Sequence, residues 1–307
     1  MAMVVDALVG WPNSLFARVG HPVVWLGRLI TALDARWNRE VDRPAMRRMA
    51  GVAAALLVIV LSVELALILQ RMIPPGLAGM VLLGILAWPF VAFRSLYDHV
   101  AAVRDRLRAG DVEAARNKVA QIVGRDPFKL DQAGIARAAI ESLAENTSDA
   151  IVAPIFWGAL FGLPGIIGYK AVNTLDSMIG HRNERHKFFG WAAARIDDAA
   201  NFLPARLTGL QFVALAAGAR RLQALACVWR DARHHRSINA GWPEAAIAAA
   251  LGVRLCGPRF YDGKVADEPW LNAAAADPAA ADITKALELY VATMFALTLL
   301  LVVLAVI

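Results

Sequence analysis

The stretch GVAAALLVIVLSVELALILQ, residues 51–70, decides the fold. Its single charge is Glu64, and Arg47, Arg48 and Arg71 bracket it. Twenty residues rising ~1.5 Å each cover the ~30 Å hydrocarbon core of a bilayer. Working outward, Pro74-Pro75-Gly76 stops this helix, and a second apolar run from Leu77 to Phe93 returns, so the two read as a helical hairpin. At the far end, Leu287 to Ile307 carries no charge after Glu288 and reads as a last span (287–307). A shorter apolar segment, 207–219, runs into Arg220-Arg221 and suits an interfacial position.

Composition agrees with this reading. Of 307 residues, 58% are apolar and 19% charged, and mean hydropathy is +0.49. A soluble domain is about 45–50% apolar with glycine included. The chain is too oily for that class and too charged to be membrane spans alone. The expectation is an all-α, multi-pass integral membrane protein with cytoplasmic helical loops, a single membrane-embedded domain over 1–307. Seven arginines between Arg18 and Arg48, against Arg71 alone in the hairpin turn, place the N-terminus in the cytoplasm. The first residues show no basic region followed by a small-residue cleavage site, so no cleavable signal is expected. Cys227 and Cys256 lack metal-knuckle or redox spacing.

The third oily stretch, AIVAPIFWGALFGLPGIIG (150–168), differs from the spans. Pro154, Gly158, Gly162, Pro164 and Gly165 interrupt it. Proline inside a helix removes a backbone bond and kinks it, and irregular backbone at membrane depth must be covered by protein or line a cavity. A broken, re-entrant hairpin is expected. Glu64, in the first span, reads more readily as a neutral or structural carboxylate than as part of an ion path.

Chemistry gathers in two polar segments, 94–149 and 169–206. In IARAAIESLAEN, Glu141 and Glu145 are four apart and share a helical face, with Asn146 and Asp149 following. Like charges at that spacing repel, and a cation between them would resolve the conflict. Magnesium is held by one or two carboxylates together with phosphate oxygens. After the oily stretch, Lys170, Asn173 and Asp176 are three apart, and Arg195, Asp197, Asp198, Asn201 and Arg206 form a second cluster. Carboxylates, amides and cations in this mixture suit Mg²⁺ and phosphate. His181 and His186, in HRNERH, complete no zinc set and are read as solvent-facing. His235 and Ser237 could contact an anion or cap a helix. There is no GxSxG elbow and no Walker A loop.

Several long motifs together resemble the adenosylcobinamide-phosphate synthase family of cobalamin biosynthesis, CobD/CbiB. They are HPVVWLGRLI (21–30), SLYDHV (95–100), VGRD (123–126), ARAAIESLAENTSDAIVAPIFW (136–157), YKAVNTLDSMIG (169–180), RIDDAANFLPARLT (195–208) and NAGWPEAAIAAALGV (239–253). They run in order through almost the whole chain. The chain departs from the family's usual pattern at Trp11, where Asp is usual, at Ile238, where Pro is usual, and at Cys256, where Gly is usual.

The resemblance implies a multi-pass inner-membrane enzyme with its active site facing the cytoplasm. It would join aminopropanol, or its O-phosphate, to a propionate carboxylate of adenosylcobyric acid, using ATP as co-substrate with Mg²⁺. Residue chemistry then suggests roles. Glu141, Glu145, Asp149, Asp197 and Asp198, with Asp176, would hold Mg²⁺-ATP. Lys170, Arg195 and Arg206 would steady phosphates, Asn146, Asn173 and Asn201 would add polar contacts, and His21 or His99 would accept the amine proton. Expected partners are the two substrates, the lipid bilayer, other corrinoid-pathway enzymes and a second copy of the chain; nucleic acid is not expected, because the basic residues are spread among loops. Two rivals remain open: a transporter, which predicts inverted repeats, and a non-catalytic scaffold, which predicts that Glu141 or Asp176 tolerates alanine.

Overall fold

The computed structural model describes the chain except residues 13, 15, 16, 19, 124–129, 219, 262, 263, 267 and 307. Most of the VGRD motif, and the helix stop read at Asp126-Pro127, therefore lie outside the described residues. Thirteen α-helices are defined among the described residues. The first seven are α1 (Ala2–Val9), α2 (Pro22–Trp37), α3 (Pro44–Met72), α4 (Leu77–Ala87), α5 (Phe93–Arg108), α6 (Val112–Val119) and α7 (Gln132–Thr147). The remainder are α8 (Ala153–Ile179), α9 (Trp191–Ala200), α10 (Phe202–Leu215), α11 (Arg220–Asp231), α12 (Gly241–Leu251) and α13 (Ala280–Val306). Strand β1 (Leu255–Cys256) pairs antiparallel with β4 (Trp270–Leu271), and β2 (Arg259–Tyr261) with β3 (Lys264–Ala266).

Four helical stretches are long and apolar enough to cross a membrane: Pro44–Met72, Leu77–Arg108, Gln132–Ile179 and Ala280–Leu304. The protein is an all-α membrane protein, as its hydropathy pattern predicts. The expected span at 51–70 falls within α3, and that at 287–307 follows α13 through Val306, the last described residue. The run from 77 to 93 is less regular than expected. Helix α4 ends at Ala87, and Trp88–Phe90 forms a 3₁₀ turn around Pro89, whose missing N–H and bulky ring oppose a continuing α-helix. Segment 207–219 belongs to α10 only as far as Leu215; the 14 residues of that helix reach about 21 Å, short of a crossing.

The chain packs as two compact units, each drawn from two stretches: Met1–Phe93 with Asp149–Phe202, and Arg94–Ser148 with Leu203–Ile307. In the first unit, small residues let helices approach closely. Ala54, Ala55 and Val58 of α3 share a core with Ala171, Leu175 and Ile179 of α8, Ile30 of α2, and Ala192 and Ala193 of α9. A side chain at Gly51 would stand 1.8 Å from the Phe189 carbonyl oxygen, so only glycine fits there.

The oily 150–168 stretch is broken as expected. The π-helical turn Ser148–Val152 leads into α8, and Gly162 interrupts α8 with φ 67°. A Cβ at Gly165 would lie 2.0 Å from the Trp157 carbonyl oxygen, and one at Gly158 2.5 Å from Ile166 Cγ1. Residues eight apart in a straight helix are separated by about 12 Å, so the two arms of α8 fold against each other at Gly162. The backbone N–H freed by the break is not left bare: Leu163 donates to Gln70 Oε1 of α3 at 2.8 Å.

The second unit is built on fully buried residues of three helices: Ile135, Ile140 and Leu143 of α7, Ala245, Ala246, Ile247 and Ala248 of α12, and Ile283, Ala286 and Tyr290 of α13. Beside them, Arg137 and Arg254 lie over Trp270 at 4.6 and 4.3 Å from its ring centroid. Both guanidinium groups donate to Asp277, at 2.5 and 2.6 Å.

Candidate active site

The sequence-predicted residues of the first unit converge around Tyr169, in the second arm of α8. Its buried hydroxyl donates to Asn201 Oδ1 at 2.7 Å and lies 3.1 Å from the Asp149 carbonyl oxygen. The hairpin is what makes this possible, since Asp149 and Tyr169 are the two ends of the segment that reverses at Gly162. Asn201 in turn donates to Asp197 Oδ2 at 3.0 Å, and Trp157 Nε1 donates to the Ala200 carbonyl at 3.1 Å. These bonds fix the C-terminal end of α9 against α8.

Lys170 follows directly. It donates to Asn173 Oδ1 at 3.3 Å, one turn along α8, and both Asp149 and Asp197 act electrostatically on its ammonium. One further turn along, Asp176 feels Asp198, His181 and Arg195. Arg195 and Asp198 are themselves paired at 3.0 Å. Asp176 Oδ1 lies where a Cβ on Gly180 would be, 1.9 Å away, so the glycine ending YKAVNTLDSMIG leaves room for this carboxylate. Among the named residues, four carboxylates (Asp149, Asp176, Asp197 and Asp198) meet two basic groups, the Lys170 amine and the Arg195 guanidinium. A divalent cation would balance that excess, and its ligands would be oxygens, as magnesium requires. The donor set thus fits Mg²⁺ with phosphate oxygens.

His21 reaches the same neighbourhood from the start of α2. Its Nδ1 accepts the Val23 N–H at 3.2 Å as the helix N-cap. A backbone N–H can only donate, so the neutral ring carries its proton on Nε2. Burial first, and the Lys170 charge second, hold its pKa below the usual histidine value. With Nδ1 occupied by the Val23 N–H, His21 is a neutral donor beside Lys170, suited to an anion. An open groove of about 790 Å³ begins at Lys170 and Asn173 and runs between α2 and α8 past Gly27, Arg28, Thr174 and Met178.

The other predicted residues belong to the second unit. Glu141 is buried, and its Oε1 accepts the Cys256 N–H at 2.7 Å. Glu145, one turn later on α7, is exposed. Asn146 donates to the Ser142 carbonyl at 2.9 Å. Arg206 donates to Asn239 Oδ1 at 3.2 Å and lies 4.5 Å over the Trp242 ring. His99 is exposed, and its Nδ1 sits 2.7 Å from the Ser95 carbonyl oxygen; a carbonyl can only accept, so the lone pair of this ring is on Nε2, as a general base needs. In the first unit, Glu64 is exposed on α3, and His181 is exposed as expected. His186 is a correction: it is half-buried, with Nε2 3.5 Å from Asp34 Oδ1, because the loop after Gly180 folds onto α2. Tyr169 was missed as a site residue; its one sequence signal is its place directly before Lys170.

A model of the CobD/Cbib protein family matches residues 1–290. The chain is 58% identical over 299 residues to the cobalamin biosynthesis protein CobD of Rhodobacter capsulatus, covering 97% of this chain and 94% of that protein. It is 45% identical over 308 residues to the protein of that name from Brucella suis, covering 97% and 93%. With the one from Sinorhizobium fredii it shares 46% over 290 residues, covering 92% and 88%. No solved structure matches the chain. On the family match and these full-length similarities together, the chain belongs to the CobD/CbiB family.

Proposed function

We propose that the protein is an ATP-dependent carbon–nitrogen ligase of cobalamin biosynthesis. It joins (R)-1-amino-2-propanol, or its O-phosphate, to the propionate carboxylate of adenosylcobyric acid and gives adenosylcobinamide or its phosphate. Family membership supports the pathway. The observation that carries the reaction type is the cluster of Asp149, Asp176, Asp197 and Asp198 around Lys170 and Arg195.

A carboxylate is a poor acyl donor because oxide is a poor leaving group, and transfer of the ATP γ-phosphoryl group to it supplies a good one. In this reading the aspartates hold Mg²⁺-ATP, while Lys170 and Arg195 neutralise phosphate oxygens. Asn173 and the His21 Nε2–H add hydrogen bonds to the same anions. Asn201 and Tyr169 position Asp197 and touch no substrate. Since ATP is cytoplasmic, the cluster faces the cytoplasm, and the host membrane is the inner membrane.

The test is amide formation by the purified, detergent-solubilised protein with adenosylcobyric acid, Mg²⁺-ATP and either free or phosphorylated aminopropanol. Wild type is expected to yield the amide, ADP and inorganic phosphate, the last displaced from the acyl phosphate by the amine. Loss of a group that stabilises developing charge costs about 10²–10³-fold in rate, so Asp176→Asn is expected to fall by that order. An Asp176→Asn variant as fast as wild type would refute the metal assignment. A folded wild type that forms no amide with either amine would refute the ligase.

A further inference from the structure

Neither cysteine has metal-site spacing in the sequence, yet the fold of the second unit gives one of them two partners. Cys256 Sγ lies 3.1 Å from Glu244 Oε2, and His235 Nε2 lies 3.7 Å from the same oxygen. The three ligand atoms all fall within 4.8 Å of one another. They come from the loop before α12, the first turn of α12, and β1. We propose that His235, Glu244 and Cys256 form a binding site for a zinc-class transition metal ion, distinct from the oxygen-rich cluster around Lys170.

Three features point to this class of ion. The first is chemical: thiolate, imidazole and carboxylate together are zinc ligands, and a soft sulfur is foreign to magnesium. The second is spacing. Metal–ligand bonds of about 2.0–2.3 Å in a tetrahedral arrangement set neighbouring ligand atoms about 3.3–3.6 Å apart, and the observed 3.1 and 3.7 Å lie on either side of that range. The third is the surrounding support. His235 Nδ1 lies 3.0 Å from the Ser237 N–H and 3.2 Å from the Ser237 carbonyl oxygen; a metal at Nε2 requires the tautomer with the ring proton on Nδ1, donated to that carbonyl, the type of partner taken by the second nitrogen of a ligating imidazole. The Glu141 carboxylate holds the Cys256 N–H at 2.7 Å and so fixes that residue at φ 60°, a left-handed conformation uncommon for cysteine. Glu141 is thus a positioning residue for the sulfur.

Glu244 and Cys256 are 3% and 1% exposed, so the site is closed to bulk solvent and its role is structural: it ties β1 to the start of α12. On binding, the S–H bond of Cys256 breaks, a sulfur–metal bond forms and the proton leaves to solvent. Cys227 serves as the internal control. It donates to Asp231 Oδ2 at 3.3 Å, and burial pushes its thiol up to about 12.

The test uses the full chain in detergent, stripped with a chelator and titrated with Co²⁺ alone, then with Zn²⁺. The expected result is one equivalent of Co²⁺ giving an intense thiolate-to-cobalt charge-transfer band. Stoichiometric Zn²⁺ should displace it, and excess Mg²⁺ should not. Cys256→Ser, which keeps the shape and a donor toward Glu244, should abolish the band. His235→Ala should weaken binding at least tenfold, and Cys227→Ala should leave it intact. Zn²⁺ should raise the Tm of wild type and leave that of Cys256→Ser unchanged. A wild type without the band, or a band that survives Cys256→Ser, would overturn the proposal. Neither readout depends on ligase activity.

Discussion

Tyr169 and Asn201 are joined by a buried 2.7 Å hydrogen bond that couples the broken membrane helix to the carboxylate-bearing α9. Tyr169→Phe keeps the ring and removes the donor, leaving the Asn201 oxygen buried and short of a partner. The expected loss is about 1–3 kcal/mol of stability, with amide formation falling because Asp197 is no longer held. Denaturant unfolding in detergent alongside single-turnover product formation would check both. A variant as stable and active as wild type would show that this bond positions nothing.

Gln70 and Gly162 form one device. Gln70→Leu deprives the Leu163 N–H of its acceptor in apolar surroundings, a loss of about 1–3 kcal/mol. Gly162→Ala meets the same contact from the other side: its φ is 67°, and its Cβ would stand 2.5 Å from Gln70 Oε1. Because the substitutions share a contact, the double variant should be less destabilised than the two losses added. Additive losses in unfolding experiments would separate the two residues.

His21 combines a cap with a pH response. His21→Ala should cost about 1 kcal/mol of helix stability, while His21→Asn, a good N-cap, should restore it. Since burial and then Lys170 lower the pKa of His21, the unfolded chain takes up the proton first. Stability should therefore fall as pH drops through about 6.5. His21→Asn should flatten that slope and raise KM for ATP, because the Nε2–H donor is gone.

Asp277 should respond at lower pH. Hydrogen bonds from Arg254 first and Arg137 next hold its pKa at about 2, below the ordinary carboxylate value of about 3.9. Its contribution to stability is complete above about pH 5 and is lost as pH falls through about 4 toward 2. Asp277→Asn should remove this part of the acid dependence, which a series of melting curves would show.

The spans were legible because hydropathy is a local property. So was the break, since Pro and Gly in 150–168 forbid a regular helix whatever surrounds them. The stop at Ala87 was not read, although Pro89 inside the apolar run carried the signal for it. Spacing put Lys170, Asn173 and Asp176 on one face, and the structure agrees. The same reasoning put Glu141 and Glu145 side by side but could not say what each meets. Glu141 is committed to a backbone N–H 115 residues away, which no local pattern encodes, while Glu145 is exposed. Tyr169 was hidden for a similar reason: a tyrosine after an oily run looks like packing until its hydroxyl is seen bridging Asp149 and Asn201.

The Gln70–Leu163 bond also has a consequence for how the protein is made. Its partners are 93 residues apart, so when the first span enters the bilayer its acceptor side chain has nothing yet to accept from. At about 5–20 residues per second, the ribosome needs roughly five to twenty seconds to deliver the segment that completes the pair. During that interval Gln70 must find a temporary donor, from water near the membrane surface or from the insertion machinery. The broken hairpin can lock into place only after most of its neighbours in the first unit have already been inserted.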